Sequence, residues 1–421
     1  MNIDRRRFAG ALAGMGISLA ALPRWTRAGA NGARIRAMLQ SHVDRGYATG
    51  AVALIGHGDE AEVIAVGRQG KHAARPMQRD SIFRIASMTK PIVGAATLML
   101  VEDRKLTLND SVERWLPELA NRRVLRSLES ALDDTVPARR AITVEDLLNF
   151  TFGMGIILAP PGTYPIQRRI EELKLPGFSA PDPNSPYTPD QWMGKLSELP
   201  LMAQPGERWM YNTGSYVLGV LIARVSGLSL PAFLDERVFA PLGMKDTGFF
   251  VPTAKLERLV DAHRHNGGEL ERYDAAPNSA WSRMPAFPDG GAGLVSTVDD
   301  YFAFSRLLLN GGRAGTRQLL SAASVAAMTK DHVTAQQRAG ARPILDDHSG
   351  WGLGLSVVNR VTPQGIPVGG YGWIGGLGSA WMSEPRKRIT SILTLQTVFE
   401  SPEPPAAYTE FWHAVFAPAA S

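Results

Sequence analysis

Two periodicities divide this chain, and where they fall limits the folds open to it. Alternation with a period of two, the mark of a strand, sits at the two ends, while the 3.6-residue spacing of helices fills the middle. "TGAVALIGHGDEAEVIAVG", Thr49 to Gly67, reads as two strands around a Gly58-Asp59 turn. The other alternating, β-branched runs, "GWGLGLSVV", "GLGSAWMSEP" and "RITSILTLQTV", all come after residue 349. Strand backbones must pair, so the simplest architecture joins both chain ends into one antiparallel sheet flanked by helices. A mainly helical domain is then inserted between them. This is an α+β fold with the site expected at the junction: residues 31–105 and 286–421 form the sheet-bearing domain and 106–285 the helical one.

Local signals fill in this outline. Ala33 to Gly46 has helical spacing, and "KLTLNDSVERWLPEL" continues in helical style. "ITVEDLLNFTFGMG" predicts a helix capped by Thr143 and ended by Gly153, and Gly227 stops the helix that precedes "LSLPAFLDERVFAPLGM". "STVDDYFAFSRLLLNGG" is a helix with Ser296 or Thr297 as cap and Asp299 and Asp300 in its first turn. Between Ile156 and Pro189 proline and glycine are dense, which predicts a long loop that restarts a helix at Thr188-Pro189. Such a loop is either a wall of the site or a surface excursion; as a wall, it shapes an acyl pocket together with Trp192.

Composition removes several function classes. Of the net charge of +5, residues 1–30 carry +4 through Arg5, Arg6, Arg7, Arg24 and Arg27 against Asp4. The pI of 9.4 therefore marks no polybasic surface, and no nucleic-acid partner is expected. Cysteine is absent, which excludes disulfides, thiolate catalysis and cysteine metal sites. The opening "DRRRFAGALAGMGISLAALP" resembles a twin-arginine export signal, with Phe8 two residues after Arg6 and a small-x-small cleavage site at Ala28-Gly29-Ala30. Its apolar run is too short for a stable membrane anchor; the alternative is an uncleaved N-terminal helix. The resemblance implies the twin-arginine export machinery as a partner and a periplasmic or secreted location.

Chemistry-bearing patterns are few. Gly-x-Ser-x-Gly, His-Glu-x-x-His and a phosphate loop are all missing. His263-x-His265 with Asp261 could face one side of a strand as a metal pair, but no third ligand is near in sequence. Among nine lysines only Lys90 has a serine, Ser87, three residues before it. Ser87 lies where a strand gives way to a helix start, and Lys90 falls on the same helix face. A lysine whose pKa is lowered by burial could take the serine's proton. In "PGERWMYNTGSYVLG" Tyr211 stands just before a helix, where a neighbouring lysine cation would make its phenolate accessible as a base. "GGYGWIGGLGSAWMSEP" offers a strand whose glycines allow close backbone approach and whose amides can donate to a substrate carbonyl.

Together Ser87-Met88-Thr89-Lys90, Tyr211, "GGAGLVSTVDD" and Trp373-Ile374-Gly375 resemble, in order, the serine β-lactamase-like superfamily. By that resemblance Ser87 is the acylated nucleophile, with Lys90 and Tyr211 as its activating pair. The amides of Ser87 and Gly376 would form the oxyanion hole, and Trp373, Ile374, Gly375 and Thr213 would line the substrate. No metal or cofactor is implied. Two departures matter. Tyr211-Asn212-Thr213 puts threonine where the β-lactamases have asparagine, with Asn212 one position early. Trp373 stands where class C β-lactamases carry the lysine of Lys-Thr-Gly, as in the family VIII carboxylesterases, and Lys387 is the only lysine in the C-terminal strands. Loss of that cation favours a neutral ester over an anionic lactam, by roughly one to two decades of affinity. The expectation is a serine carboxylesterase acting on a small-molecule ester. A β-lactamase or D-alanyl-D-alanine carboxypeptidase with the same nucleophile, and a non-catalytic binder of cell-wall peptide, are the alternatives.

Overall fold

The computed structural model describes residues 25–417 apart from 179, 180 and 182. The arginine pair and apolar run of the expected export signal lie outside the described residues. Helix α1 (Trp25–Asp44) leads into strands β1 (Gly50–His57) and β2 (Glu60–Gly67), joined at the expected Gly58-Asp59 turn. A short β3 (Phe83–Arg84) precedes α2 (Thr89–Glu102). The middle of the chain supplies α3 (Val144–Leu148), α4 (Pro165–Glu172), α5 (Pro189–Ser197), α6 (Thr213–Ser226) and a hairpin, β4 (Ala262–Asn266) with β5 (Glu269–Asp274). Then follow β6 (Val295–Ser296), which pairs with β3, and α7 (Val298–Leu309). The C-terminal strands are β7 (Ser349–Trp351), β8 (Ser356–Val358), β9 (Tyr371–Gly375), β10 (Ser379–Glu384) and β11 (Ile389–Thr394), and α8 (Ala406–Phe416) closes the chain.

Both chain ends meet in one seven-stranded antiparallel sheet of order β7-β8-β9-β10-β11-β1-β2. The seam between them is β1 on β11, with Val52 opposite Thr394 and Leu54 opposite Ile392. Successive side chains of β1 enter two different cores. Val52 and Leu54 join Ile92, Ala96 and Phe304 from α2 and α7. Ala51, Ala53 and Ile55 join Ile35, Leu39, Tyr408 and Phe411 from α1 and α8. Because both faces are covered, the strand is apolar throughout.

Four expectations change in the middle of the chain. "KLTLNDSVERWLPEL" is not one helix but turns and two 3-10 segments, Val112–Arg114 and Pro117–Leu119. Asp110 accepts from the Thr107 amide at 2.8 Å and Ser111 from the Glu113 amide at 3.3 Å, so local side chains compete with helix formation. The helix capped by Thr143 ends at Leu148 rather than at Gly153, because Phe150 takes φ +62°. The expected loop 156–189 contains α4, which starts with Pro165 and buries Ile166 and Ile170 one turn apart. Trp192, expected at an acyl pocket, is a core residue: its ring stacks on Phe287 at 5.1 Å and its N–H donates to the Pro176 carbonyl at 3.2 Å. The cap Thr188, Pro189 at the first helical position and the left-handed Gly227 after α6 are as expected.

Candidate active site

Ser87 lies in the 3-10 turn Ala86–Met88 that joins β3 to α2. Pro91 falls in the first turn of α2, where its missing N–H costs nothing, and every residue from Thr89 to Leu100 is buried. A helix with no solvent face leaves Lys90 only protein partners. The turn is pinned from three directions. The Ile85 amide donates to the Leu294 carbonyl at 3.0 Å, the Ser379 hydroxyl to the Ile85 carbonyl at 2.9 Å, and the Tyr301 hydroxyl to the Met88 carbonyl at 2.9 Å. Ala86, next to the serine, is held at φ +43°, a sparsely populated conformation for a residue with a Cβ.

Lys90 is wholly buried, with Nζ 2.9 Å from Ser87 Oγ, 2.8 Å from the Gly291 carbonyl oxygen and 4.7 Å from the centre of the Tyr211 ring. Burial lowers its pKa to about 7, opposed by the charge of Asp289. Asp289 is itself buried, which raises its carboxyl to about 6, and it accepts from the amides of Gly291 (3.0 Å) and Ala292. One carboxylate thus shapes the turn that presents the Gly291 carbonyl and also sets the field at Nζ.

Tyr211 does not behave as expected from sequence. Burial raises its phenol well above the usual value, outweighing the hydrogen bonds from Ser87 and Trp373. Desolvation thus works against the phenolate expected from sequence, while burial brings the amine of Lys90 down to about 7. Trp373 donates its indole N–H to Tyr211 Oη at 2.8 Å. Phe150, Trp209 and Trp351 complete an apolar box, with ring centres 5.7, 5.8 and 6.2 Å from that of Tyr211.

The other expected residues divide. Gly375 must be glycine, since a Cβ there would meet the Ile85 carbonyl oxygen at 2.2 Å; this is where β9 reaches the Ser87 turn. Gly376 follows it, and a side chain there would project into open space. Strand β8 pairs with β9 only at Tyr371 and Gly372, leaving Trp373, Ile374 and Gly375 outside the ladder on that side. Trp373 is 6% exposed and spends its one donor on Tyr211, so it offers an apolar face and no polar contact to a substrate. Thr213, expected at the substrate, is corrected: it is fully buried and its hydroxyl donates to the Gly177 carbonyl at 2.9 Å. Asn212, turned by φ +91°, donates to the same carbonyl at 3.0 Å, so both residues hold the 156–189 segment against α6.

His263 and His265 do sit two apart on β4, but His263 is buried with its pKa lowered to about 4, and His265 stacks on Tyr47. Among the described residues no three histidine, aspartate or glutamate side chains gather as metal ligands. Sequence reasoning missed Asp289, Trp209 and Trp351; the Asp-Gly-Gly turn before "AGLVST" was the available signal for the first.

A pH prediction arises here. Only the neutral amine of Lys90 can accept a proton, so kcat/KM is expected to rise with pH through about 7. The charged or titratable groups against Lys90 are Asp289 and Tyr211. Asp289→Asn removes the charge that favours the ammonium, so the rise should move to lower pH. An unmoved rise in a folded variant would show that Lys90 is not the group titrating.

A family model described as Beta-lactamase matches residues 35–413. The chain is 36% identical over 370 residues to Protein Rv1367c of Mycobacterium tuberculosis, covering 86% of this chain and 89% of that protein. It is 30% identical over 389 residues to Esterase EstB of Burkholderia gladioli, covering 87% and 91% of the two chains. Among solved structures it superposes on EstCE1, described as a hydrolase with promiscuous acyltransferase activity, with a TM-score of 0.75, 27% identity, and coverage of 93% and 100%.

Proposed function

The chain belongs to the Beta-lactamase family, a serine hydrolase fold with esterase relatives, and from that premise we propose that it cleaves neutral carboxylic esters through an acyl-enzyme on Ser87. The observation that carries this reading is a buried lysine amine 2.9 Å from the Ser87 hydroxyl, and it is supported by Trp373, which presents a ring where the resemblance leads one to expect an anion-binding lysine. Neutral Lys90 takes the proton of Ser87 as Oγ attacks the ester carbonyl. The amides of Ser87 and Gly376 receive the oxyanion. Lys90, now an ammonium held by the Gly291 carbonyl, returns the proton to the departing alkoxide, with the Tyr211 hydroxyl as the conduit. Water then attacks the acyl-serine by the same route in reverse, releasing the acid and restoring Ser87.

Selectivity follows from charge. The register of β9 on β10 sets Gly375 opposite Ser379, while Lys387 lies beyond Glu384 at the far end. Five residues of strand at ~3.3 Å each put that lysine roughly 17 Å or more away. A carboxylate on the substrate lying against Trp373 would thus be out of reach of Lys387 and would be desolvated beside an apolar ring. The test compares p-nitrophenyl butyrate with p-nitrophenyl hemisuccinate, and adds a fluorescent penicillin as label. The neutral ester is expected to have the higher kcat/KM by about 10- to 100-fold, with no stoichiometric label. Equal rates, or rapid labelling and turnover of the penicillin, would return the site to the lactamase or peptidase reading.

A further inference from the structure

Gln396 follows β11, is wholly buried, and is held at φ +52°. Its carboxamide fills all four of its hydrogen-bonding positions. Oε1 accepts from the Arg84 amide at 3.1 Å and from Arg84 Nη1 at 3.0 Å. Nε2 donates to the Arg84 carbonyl at 3.1 Å and to the Leu377 carbonyl at 3.0 Å. The oxygen faces two donors and the nitrogen two acceptors, so the amide has one self-consistent orientation. These partners flank the two amides proposed for the oxyanion. Arg84 ends β3 three residues before Ser87, and Leu377 immediately follows Gly376. An apolar side chain would fill the same volume, whereas this amide ties two separate backbone segments to each other.

We propose that Gln396 is a positioning residue that sets the spacing of the Ser87 and Gly376 amides across the oxyanion hole. The Ser379 hydroxyl, 2.9 Å from the Ile85 carbonyl, anchors the same two segments from the other side, so loss of Gln396 should loosen the gap without dismantling it. Donors of this kind act only when aimed at the oxyanion of the tetrahedral state, about 2.7–3.1 Å away. A planar ground-state ester is less sensitive to their spacing. The expected signature is therefore a fall in kcat with KM little changed.

The inference rests on the esterase reading, and the experiment separates the two. Wild type, Gln396→Met and Gln396→Glu are assayed with p-nitrophenyl butyrate, and each is titrated with a trifluoromethyl ketone that adds to the serine as a tetrahedral mimic. Thermal melting confirms the fold of each variant. Gln396→Met is expected to lose about 10- to 100-fold in kcat, and a similar factor in ketone affinity, with KM within about threefold of wild type. Should Gln396→Met fail to fold, Gln396→Glu carries the test, since it keeps an acceptor for Arg84 and loses the donor to Leu377. A folded variant with wild-type kcat and ketone affinity, or one altered in KM alone, would overturn the positioning role. A wild-type chain with no ester hydrolysis would remove the esterase reading, and this proposal with it.

Discussion

Ser87→Ala is expected to lower kcat/KM for p-nitrophenyl butyrate by about 10⁴-fold or more, because removing a covalent nucleophile leaves only binding and oxyanion stabilisation. Its fold should survive. The Ala86–Met88 turn is held by the Leu294 carbonyl, Ser379 and Tyr301, and of the serine's own bonds the substitution removes only that of its hydroxyl with Lys90. A melting temperature close to wild type, beside a collapsed rate, is the combination that assigns the nucleophile. A variant that keeps its activity would move the chemistry to another residue.

Lys90→Met is the second large effect, and its interest lies in what happens to stability. Loss of the proton acceptor should cost about 10²- to 10⁴-fold in kcat. Yet a buried ammonium is expensive to desolvate, and methionine fills a similar length with an apolar chain. Without Lys90 the carboxyl of Asp289 loses the charge that lowers its pKa, moves up from about 6, and is neutral in mildly acidic buffer. No uncompensated charge is then stranded in the core. At pH 6 the melting temperature of Lys90→Met should match or exceed that of wild type. The reverse pattern, a normal rate with a lowered melting temperature, would make Lys90 a structural cation on the Gly291 carbonyl and sink the proton-acceptor role.

The two predictions differ in how legible they were. Ser-x-x-Lys could be read directly, because three residues along a helix start bring two side chains to one face whatever the rest of the chain does. The sheet was equally legible from Thr49–Gly67 and the C-terminal runs, since short apolar and β-branched stretches bounded by turn residues read as strands even where, as in β1, both faces are buried. Local signals between them were read well where a cap dominated, as at Thr143, Thr188 and Thr297. They were misread where short polar side chains outcompeted the helix, as at Asp110 and Ser111. Ile166 and Ile170 in α4 were masked by the prolines around them.

Proton affinities were a different matter. Tyr211 beside a cation suggested a phenolate, but its burial among Phe150, Trp209 and Trp351 works against the anion, and although Trp209 is two residues away in sequence, Phe150 and Trp351 come from distant segments. Thr213 looked like a substrate residue until the fold brought the Gly177 carbonyl to its hydroxyl. The partners of Gln396 are likewise invisible in sequence, for Arg84 lies 312 positions away.

By itself the sequence determined which groups can react. A serine and a lysine stand three residues apart at a helix start, a tyrosine stands just before another helix, and Trp373 stands where the family resemblance leads one to expect a lysine. Spacing of a few residues settles such matters, because local backbone geometry is short-ranged. Only the tertiary structure decided which of these groups are desolvated, which donors are already spent, and what keeps the Ser87 turn and the β9–β10 turn in register. Those properties depend on desolvation and on hydrogen bonds between remote segments, and both exist only once the core has closed around them.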